Sequence, residues 1–307
     1  MRVLISGASG LVGSALIEKL SVGSCQLSVL TRGQPPNATD NRQLPTDNRQ
    51  LTTDNCIRWD PAAGQLNAQA VEGFDAVVHL AGESIAQGRW TAEKKARIRD
   101  SRVQGTGLLC RALAETARPP KVLVSASAVG YYGDRGDEEL DETSAAGRGF
   151  LAEVCRQWEA ATEPATAAGI RVVCVRLGVV LARHGGALAR MLPLFRFGLG
   201  GRLGSGRQYV SWISLGDAVE AICHVIATQS LSGPVNLVSP NPVTNCEFTK
   251  LLGRVLHRPT IFPVPAFALR LMLGEMADAL LLASTRVLPT RLLRSGYVFR
   301  EPRCTLG

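Results

Sequence analysis

Aromatic residues make up only 5% of the 307 residues, and the basic residues form no run interleaved with them. A protein that stacks nucleotide bases needs that combination, so a nucleic-acid stripe is excluded although the formal net charge is +8. The excess charge reads instead as a surface suited to small phosphorylated or otherwise anionic ligands. The eight cysteines (Cys25, Cys56, Cys110, Cys155, Cys174, Cys223, Cys246, Cys304) include no C-x-x-C pair and lie mostly in apolar segments. This spacing points to buried free thiols in a reducing compartment, not to a zinc or disulfide framework. The four histidines are equally dispersed, so no metal site is expected. No apolar run approaches the ~20 residues needed to span a bilayer. Arg2 leads directly into an apolar strand, so no signal peptide is expected. Together these features lead us to expect a soluble, cytoplasmic protein with no membrane or nucleic-acid partner.

What is present begins at the third residue. Residues 3–5 are apolar with β-branched residues at both ends, which suits a strand buried on both faces. Gly7, Gly10 and Gly13 follow in a G-x-x-G-x-x-G spacing, and residues 11–20 then carry apolar side chains at helical intervals. In such a strand–turn–helix one glycine allows a tight turn, one admits a pyrophosphate to the backbone, and one lets helix and strand pack closely. The helix N-terminus supplies unpaired N–H groups to the phosphates. A second strand, residues 27–30, ends at Thr31 and Arg32. An acid at this point would bind the ribose 2′-hydroxyl of NAD, whereas an arginine accommodates the 2′-phosphate of NADP. Arg32 therefore favours NADP.

Residues 34–57 interrupt this pattern. Two copies of a seven-residue unit, beginning at Thr39 and Thr46, are followed by the start of a third at Thr53. One apolar residue per period cannot make a coiled-coil seam, so a disordered surface insertion is expected. Further strands are expected at residues 56–59, 74–82, 121–125 and 170–177, with helices at 91–117 and 150–168. This alternation predicts a Rossmann-type doubly wound parallel sheet. We assign residues 1–182 to it and residues 183–307 to a smaller C-terminal α+β region on the substrate side.

The order of these features resembles the extended short-chain dehydrogenases/reductases. The terminal glycine loop, the strand ending His79-Leu80-Ala81-Gly82, and Ser125-x-Ser127 ahead of Tyr132-Gly133 carry that likeness. Narrower features resemble an NAD(P)-binding, sugar-nucleotide-epimerase-like family within the superfamily: Gly82-Glu83-Ser84-Ile85, Arg89-Trp90, Ser101-Arg102, Trp158-Glu159 and Gly204-Ser205-Gly206. The segment from Phe262 to Tyr297 is similar to that family's small C-terminal domain. The resemblance implies that Gly7, Ser9, Gly10, Leu11, Val12 and Gly13 hold the pyrophosphate of NADP, and Thr31 with Arg32 the adenosine phosphate. It places Leu80, Ala81 and Gly82 along the middle of the cofactor, Arg102 within reach of it, and Val179 near the nicotinamide. Asp217 matches a position at the junction with the substrate region, and equally suits a helix N-terminal acid.

The superfamily's usual Tyr-x-x-x-Lys pair is missing, because no lysine occurs between Lys121 and Lys250. In the best register Leu151 stands at the tyrosine position and Cys155 at the lysine position. Ser127, Tyr131, Tyr132 and Glu83 are the candidate catalytic replacements. Arg202 and Arg207, in a mobile basic loop over residues 199–208, suit an anionic substrate. Two functions stay open: an NADP-dependent oxidoreductase or epimerase, and a non-catalytic NADP-sensing regulator of the kind that relatives acting in cell-division inhibition would represent. A homodimer is also left open. Residues 300–307 contain Pro302 and no apolar periodicity, so they are expected to fray.

Overall fold

Seven parallel strands form the central sheet of the computed structural model, which describes residues 1–32 and 55–304. In chain order they are β1 (Arg2–Ser6), β2 (Gln26–Thr31), β3 (Cys56–Arg58), β4 (Ala76–His79), β5 (Val122–Ala128), β6 (Arg171–Leu177) and β7 (Gly233–Leu237). Across the sheet they run β7-β6-β5-β4-β1-β2-β3, so the order reverses between β1 and β4. In a doubly wound sheet the ligand crevice opens at that switch point, outside the carboxyl ends of the strands.

The strands are apolar on both faces because helices cover both. On β1, Val3 and Ile5 join a core with Leu16, Ile17, Ile222 and Val225, from α1 (Leu11–Ser21) and α6 (Leu215–Ala227). Leu4 points the other way, into a core with Leu109 and Leu113 of α2 (Ala92–Ala114). The period-two alternation of each strand thus feeds two cores at once. The helix expected over residues 150–168 is two helices, α3 (Phe150–Ala160) and α4 (Glu163–Ala167). The break has a local cause: Thr162 Oγ1 donates to the Glu159 carbonyl at 2.7 Å, and Pro164 brings no N–H to continue the ladder.

The chain re-enters the sheet well beyond residue 182, the expected edge of the first unit. Helix α6 packs on α1, and β7 is the edge strand beside β6. Pro234 is tolerated there because an edge strand can spare one donor. The C-terminal region gathers around a third core in which Leu188 and Phe195 of α5 (Gly186–Arg196) meet Trp212, Phe248 and Leu252. The last two lie on α7 (Asn245–Leu256), which begins in a capping box between Thr244 and Glu247. A further helix, α8, spans Ala266–Leu273. Among the described residues no helix is long and apolar enough to cross a membrane.

The strand expected at residues 56–59 forms as β3, in which Cys56 pairs with Val29 and Ile57 with Leu30 of β2, while repeat residues 39–54 lie outside the described residues. Two other expectations change. The tail expected to fray is tied down as far as Cys304. Asp217, 1% exposed, accepts the Arg300 and Glu301 backbone N–H groups at 2.8 and 2.9 Å. Ser239 and Asn241 both donate to the Pro302 carbonyl, and Cys304 is buried in the third core. Residues 305–307 lie outside the described residues. The loop over residues 199–208 is clamped, not mobile: Val264 N donates to Arg202 O and Gly204 N to Val264 O, each at 2.8 Å.

One buried group makes stability depend on pH. His79 is fully enclosed at the end of β4, with Nδ1 2.6 Å from Ser6 Oγ and its ring edge-on to Trp59. Burial pulls its pKa down from 6.5 to about 4. Between those values the unfolded chain takes up a proton that the folded chain refuses, so stability falls as pH drops through this window and is unaffected above it. The limiting loss is about 3 kcal/mol. Urea titrations from pH 7 to pH 4 should show this slope in the wild type and a flatter one in His79→Gln. Equal slopes would remove His79 as the cause.

Candidate functional site

The β1–α1 turn is built by close backbone approach. Gly7 has φ of 74°, and a Cβ there would sit 2.7 Å from the Leu80 carbonyl carbon. A side chain at Gly13 would drive into the Gly7 carbonyl. The glycines thus bring the start of α1 onto the end of β1 and the end of β4 at once. Gly10 N donates to Gly7 O at 2.9 Å, and the N-cap position, Gly10, offers no side-chain oxygen to the first amides of α1. No acid lies in that first turn. Its free N–H groups, the exposed Ser9 and Gly10, and the half-buried Leu11 and Val12 make a neutral-to-positive cradle for an anion.

The other residues singled out for a cofactor line the same carboxyl edge. Thr31 ends β2, with exposed Arg32 next. Leu80, Ala81 and Gly82 follow β4, and Ala81 N reaches Ser6 Oγ at 3.4 Å. Val179 follows Gly178 just past β6, paired with Trp212. Arg102 reaches in from α2, donating to the Glu83 and Ile98 carbonyls at 3.0 Å, with its guanidinium 5.0 Å from the Trp158 ring centre. Burial lowers its pKa, and no carboxylate among the described residues bridges to it. This leaves a desolvated cation beside Gly82, on the same carboxyl edge of the sheet.

The four candidate catalytic residues fall into two separate places. Glu83 sits in the segment between β4 and α2, where Lys94 Nζ from the first turn of α2 lies 2.6 Å from its carboxylate, with Arg97 at 4.0 Å. The Lys94 hydrogen bond holds the Glu83 pKa below the usual carboxylate range, so it is a poor base near neutrality. Ser127, Tyr131 and Tyr132 instead surround Arg176. Ser127, 2% exposed, donates to Glu159 Oε1 at 2.6 Å. Glu159 receives Arg176 through two hydrogen bonds of 2.8 Å. Arg176 Nη1 donates to Tyr132 Oη at 2.9 Å, and Tyr132 donates to Asn236 at 2.8 Å. Burial pushes the Tyr132 phenol up to about 12. The Tyr131 ring lies flat against the same guanidinium, its centre 3.4 Å from Cζ. Among the described residues Tyr131 Oη has no hydrogen-bond partner.

Sequence reading missed Arg176, Asn236 and the role of Glu159. Arg176 and Asn236 are register neighbours across β6 and β7, and Ser127 is Arg176's neighbour on β5, so strand pairing alone aligns three of the network's members. The signal was an arginine inside an otherwise apolar strand, which cannot be buried without a partner. Helix α3 fills the place of the absent Tyr-x-x-x-Lys pair with apolar groups: Leu151 and the Cys155 thiol pack against Gly130. Burial pushes that thiol up to about 11, which keeps it protonated and inert.

This architecture has known counterparts. Residues 3–237 match the family model described as NAD dependent epimerase/dehydratase family, and residues 264–305 match a domain of unknown function, DUF1731. An epimerase family protein of Mycobacterium leprae, ML0860, is 45% identical over 97% of this chain and 92% of its own length. The crystal structure of human epimerase family protein SDR39U1 with NADPH superposes with a TM-score of 0.86 at 32% identity, covering 99% of this chain and 97% of that one. A nucleoside-diphosphate sugar epimerase from Corynebacterium glutamicum gives a TM-score of 0.78 at 36% identity, over 99% of this chain and 56% of that one.

Proposed function

Because the chain belongs to the NAD dependent epimerase/dehydratase family of NAD(P)-binding proteins, we propose that it binds NADP and acts as an oxidoreductase or epimerase on a nucleotide-linked or other anionic alcohol or carbonyl compound. The observation that carries this reading is the open, acid-free N-terminus of α1 pressed against Leu80, with Arg32 on the same edge. Gly7, Ser9, Gly10, Leu11, Val12 and Gly13 would hold the pyrophosphate, Thr31 and Arg32 the 2′-phosphate. Leu80, Ala81, Gly82 and Arg102 would flank the centre, and Val179 the nicotinamide end. NADPH in the human relative supports the cofactor, and the Corynebacterium relative supports a nucleotide-linked substrate.

A bound nicotinamide supplies or accepts hydride, so the chain's own task is to move the proton. Glu83 is neutralised by Lys94, Tyr132 is locked to Arg176 and Asn236, and Ser127 is committed to Glu159. Tyr131 is left as the acid–base group, with the Arg176 guanidinium against its ring fixing the ring's place. Ser127 then positions Glu159 and Arg176 and does not meet the substrate. Tyr131→Phe should lower turnover about a hundredfold while NADPH binding persists, as expected for loss of a general acid–base. Net NADPH oxidation followed by absorbance, together with chromatography of any epimerised product (an epimerase returns the hydride and leaves the cofactor unchanged overall), tests this with a panel of nucleotide-sugar and other anionic carbonyl compounds. Unchanged turnover in Tyr131→Phe would rule out that role.

The locked side chains also support a second reading, an NADP-sensing regulator without turnover, cell division being one process it would serve. It predicts NADPH binding with neither net NADPH oxidation nor an epimerised product for any compound in the panel.

A further inference from the structure

Away from the cofactor edge, α7 carries a second concentration of positive charge. Lys250 and Arg254, spaced i and i+4, form one exposed stripe. The helix ends at His257, whose φ of 52° turns the chain so that exposed Arg258 follows directly. A groove of about 700 Å³ runs along these four residues to Thr260. Lys250 and Thr260 also wall a neighbouring cavity of about 280 Å³, which lies under Arg202. No acidic residue lines either space.

The walls are held by backbone contacts. Arg258 N donates to Gly253 O at 2.9 Å and Arg258 Nε to Arg196 O at 2.8 Å. A Cβ on Gly253 would stand 2.5 Å from Thr260 Cγ2, so the 258–260 segment lies directly on the helix. Val264 N is bonded to Arg202 O, which fixes the far side. Arg202 Nη1 donates to the Ser205 carbonyl at 3.0 Å, but the positive charges are not neutralised. Among the described residues no ion pair engages Lys250, Arg254, Arg258 or Arg202. The neighbouring acid, Glu247, uses its carboxylate to cap its own helix through Thr244 N and Oγ1, both at 2.8 Å, and feels Lys250 only through space.

A separate observation marks the smaller cavity as a ligand site. Thr249 lines it, is 3% exposed, and has a fully buried Oγ1 with no hydrogen-bond partner. A helical threonine commonly returns its hydroxyl to the carbonyl one turn back; this one leaves a donor and an acceptor unmet among clustered cations. We propose that the groove is a second anion site, which takes a small molecule carrying two or more phosphoryl groups. Lys250, Arg254 and Arg202 neutralise the charge, and Thr249 Oγ1 donates to a phosphoryl oxygen. Cations spread over two adjoining spaces suit more than one phosphoryl group, and the site stands independently of the NADP reading.

Calorimetric titration of NADPH-saturated protein with inorganic tripolyphosphate at physiological ionic strength tests this. Saturable binding at one site is expected, weakened at least tenfold in Lys250→Ala/Arg254→Ala and severalfold in Thr249→Val. Melting temperature and NADPH affinity should be unchanged in both variants, since Lys250 and Arg254 are surface residues and Thr249→Val conserves shape. Absence of binding, or binding that the double variant leaves intact, would overturn the proposal. Binding only when NADPH is omitted would also overturn it, because the phosphates would then be occupying the α1 N-terminus. If the protein proves not to bind NADPH at all, the same titration without cofactor still reads the α7 groove through its variants.

Discussion

Glu159→Ala should destabilise the protein by about 3–5 kcal/mol, the cost of leaving a buried charge without its partner. Arg176 is 3% exposed and spends two hydrogen bonds on Glu159, so removing the carboxylate strands a guanidinium between β5, β7 and Tyr132. Burial alone would lower the Arg176 pKa; the contacts with Glu159 and Tyr132 more than offset it, so the direction is up and the group stays charged. Ser127 would lose its acceptor as well. The charge deficit is the main term, so Glu159→Leu combined with Arg176→Met should recover a large part of the loss, as replacement of a whole buried pair often does. Urea denaturation of the wild type and these two variants measures this. A loss below about 1 kcal/mol in Glu159→Ala would mean that Arg176 finds water or another partner.

Asp217→Ala should cost a similar amount, about 3–5 kcal/mol, by a different route. The carboxylate satisfies the Arg300 and Glu301 N–H groups and lies 3.2 Å from both Tyr297 Oη and Ser214 Oγ. Buried donors left unpaired cost about 1–3 kcal/mol each, and here several are orphaned together. The same change frees the segment that carries Cys304 into the third core. Amide exchange should therefore accelerate sharply over residues 297–304 in the variant, while β1 and β4 keep their protection. Uniform acceleration, or none, would contradict the view that Asp217 is a local latch for the C-terminal segment.

How far these features could be read from sequence follows from the range of the interactions involved. The β1–α1 turn was legible because everything it needs lies within residues 3–20: a buried strand, glycines at the close approaches, and a periodic helix. The parallel sheet was legible for the same reason, strand by strand. Strand β7 escaped because it opens with Gly233-Pro234, which reads as a turn and is tolerated only because the strand is at the sheet edge. The order of the tail escaped because the groups that fix it, Asp217, Ser239 and Asn241, lie more than 60 residues away. The Ser127 hydroxyl was correctly placed at the end of its strand, but its partner could not be foreseen. Glu159 looks like a solvated acid on an amphipathic helix until β6 brings Arg176 beside it.

On the proposed function, this edge of the sheet holds NADP, with Arg32 reading the 2′-phosphate. Fluorescence titration of the protein with NADPH and NADH, in the wild type and in Arg32→Ala, tests it most directly. NADPH should bind the wild type more tightly than NADH, and Arg32→Ala should cost NADPH about 1.5–3 kcal/mol, as expected for a charge-assisted contact, while barely changing NADH. Equal affinities for the two cofactors, or equal losses in the variant, would contradict the account.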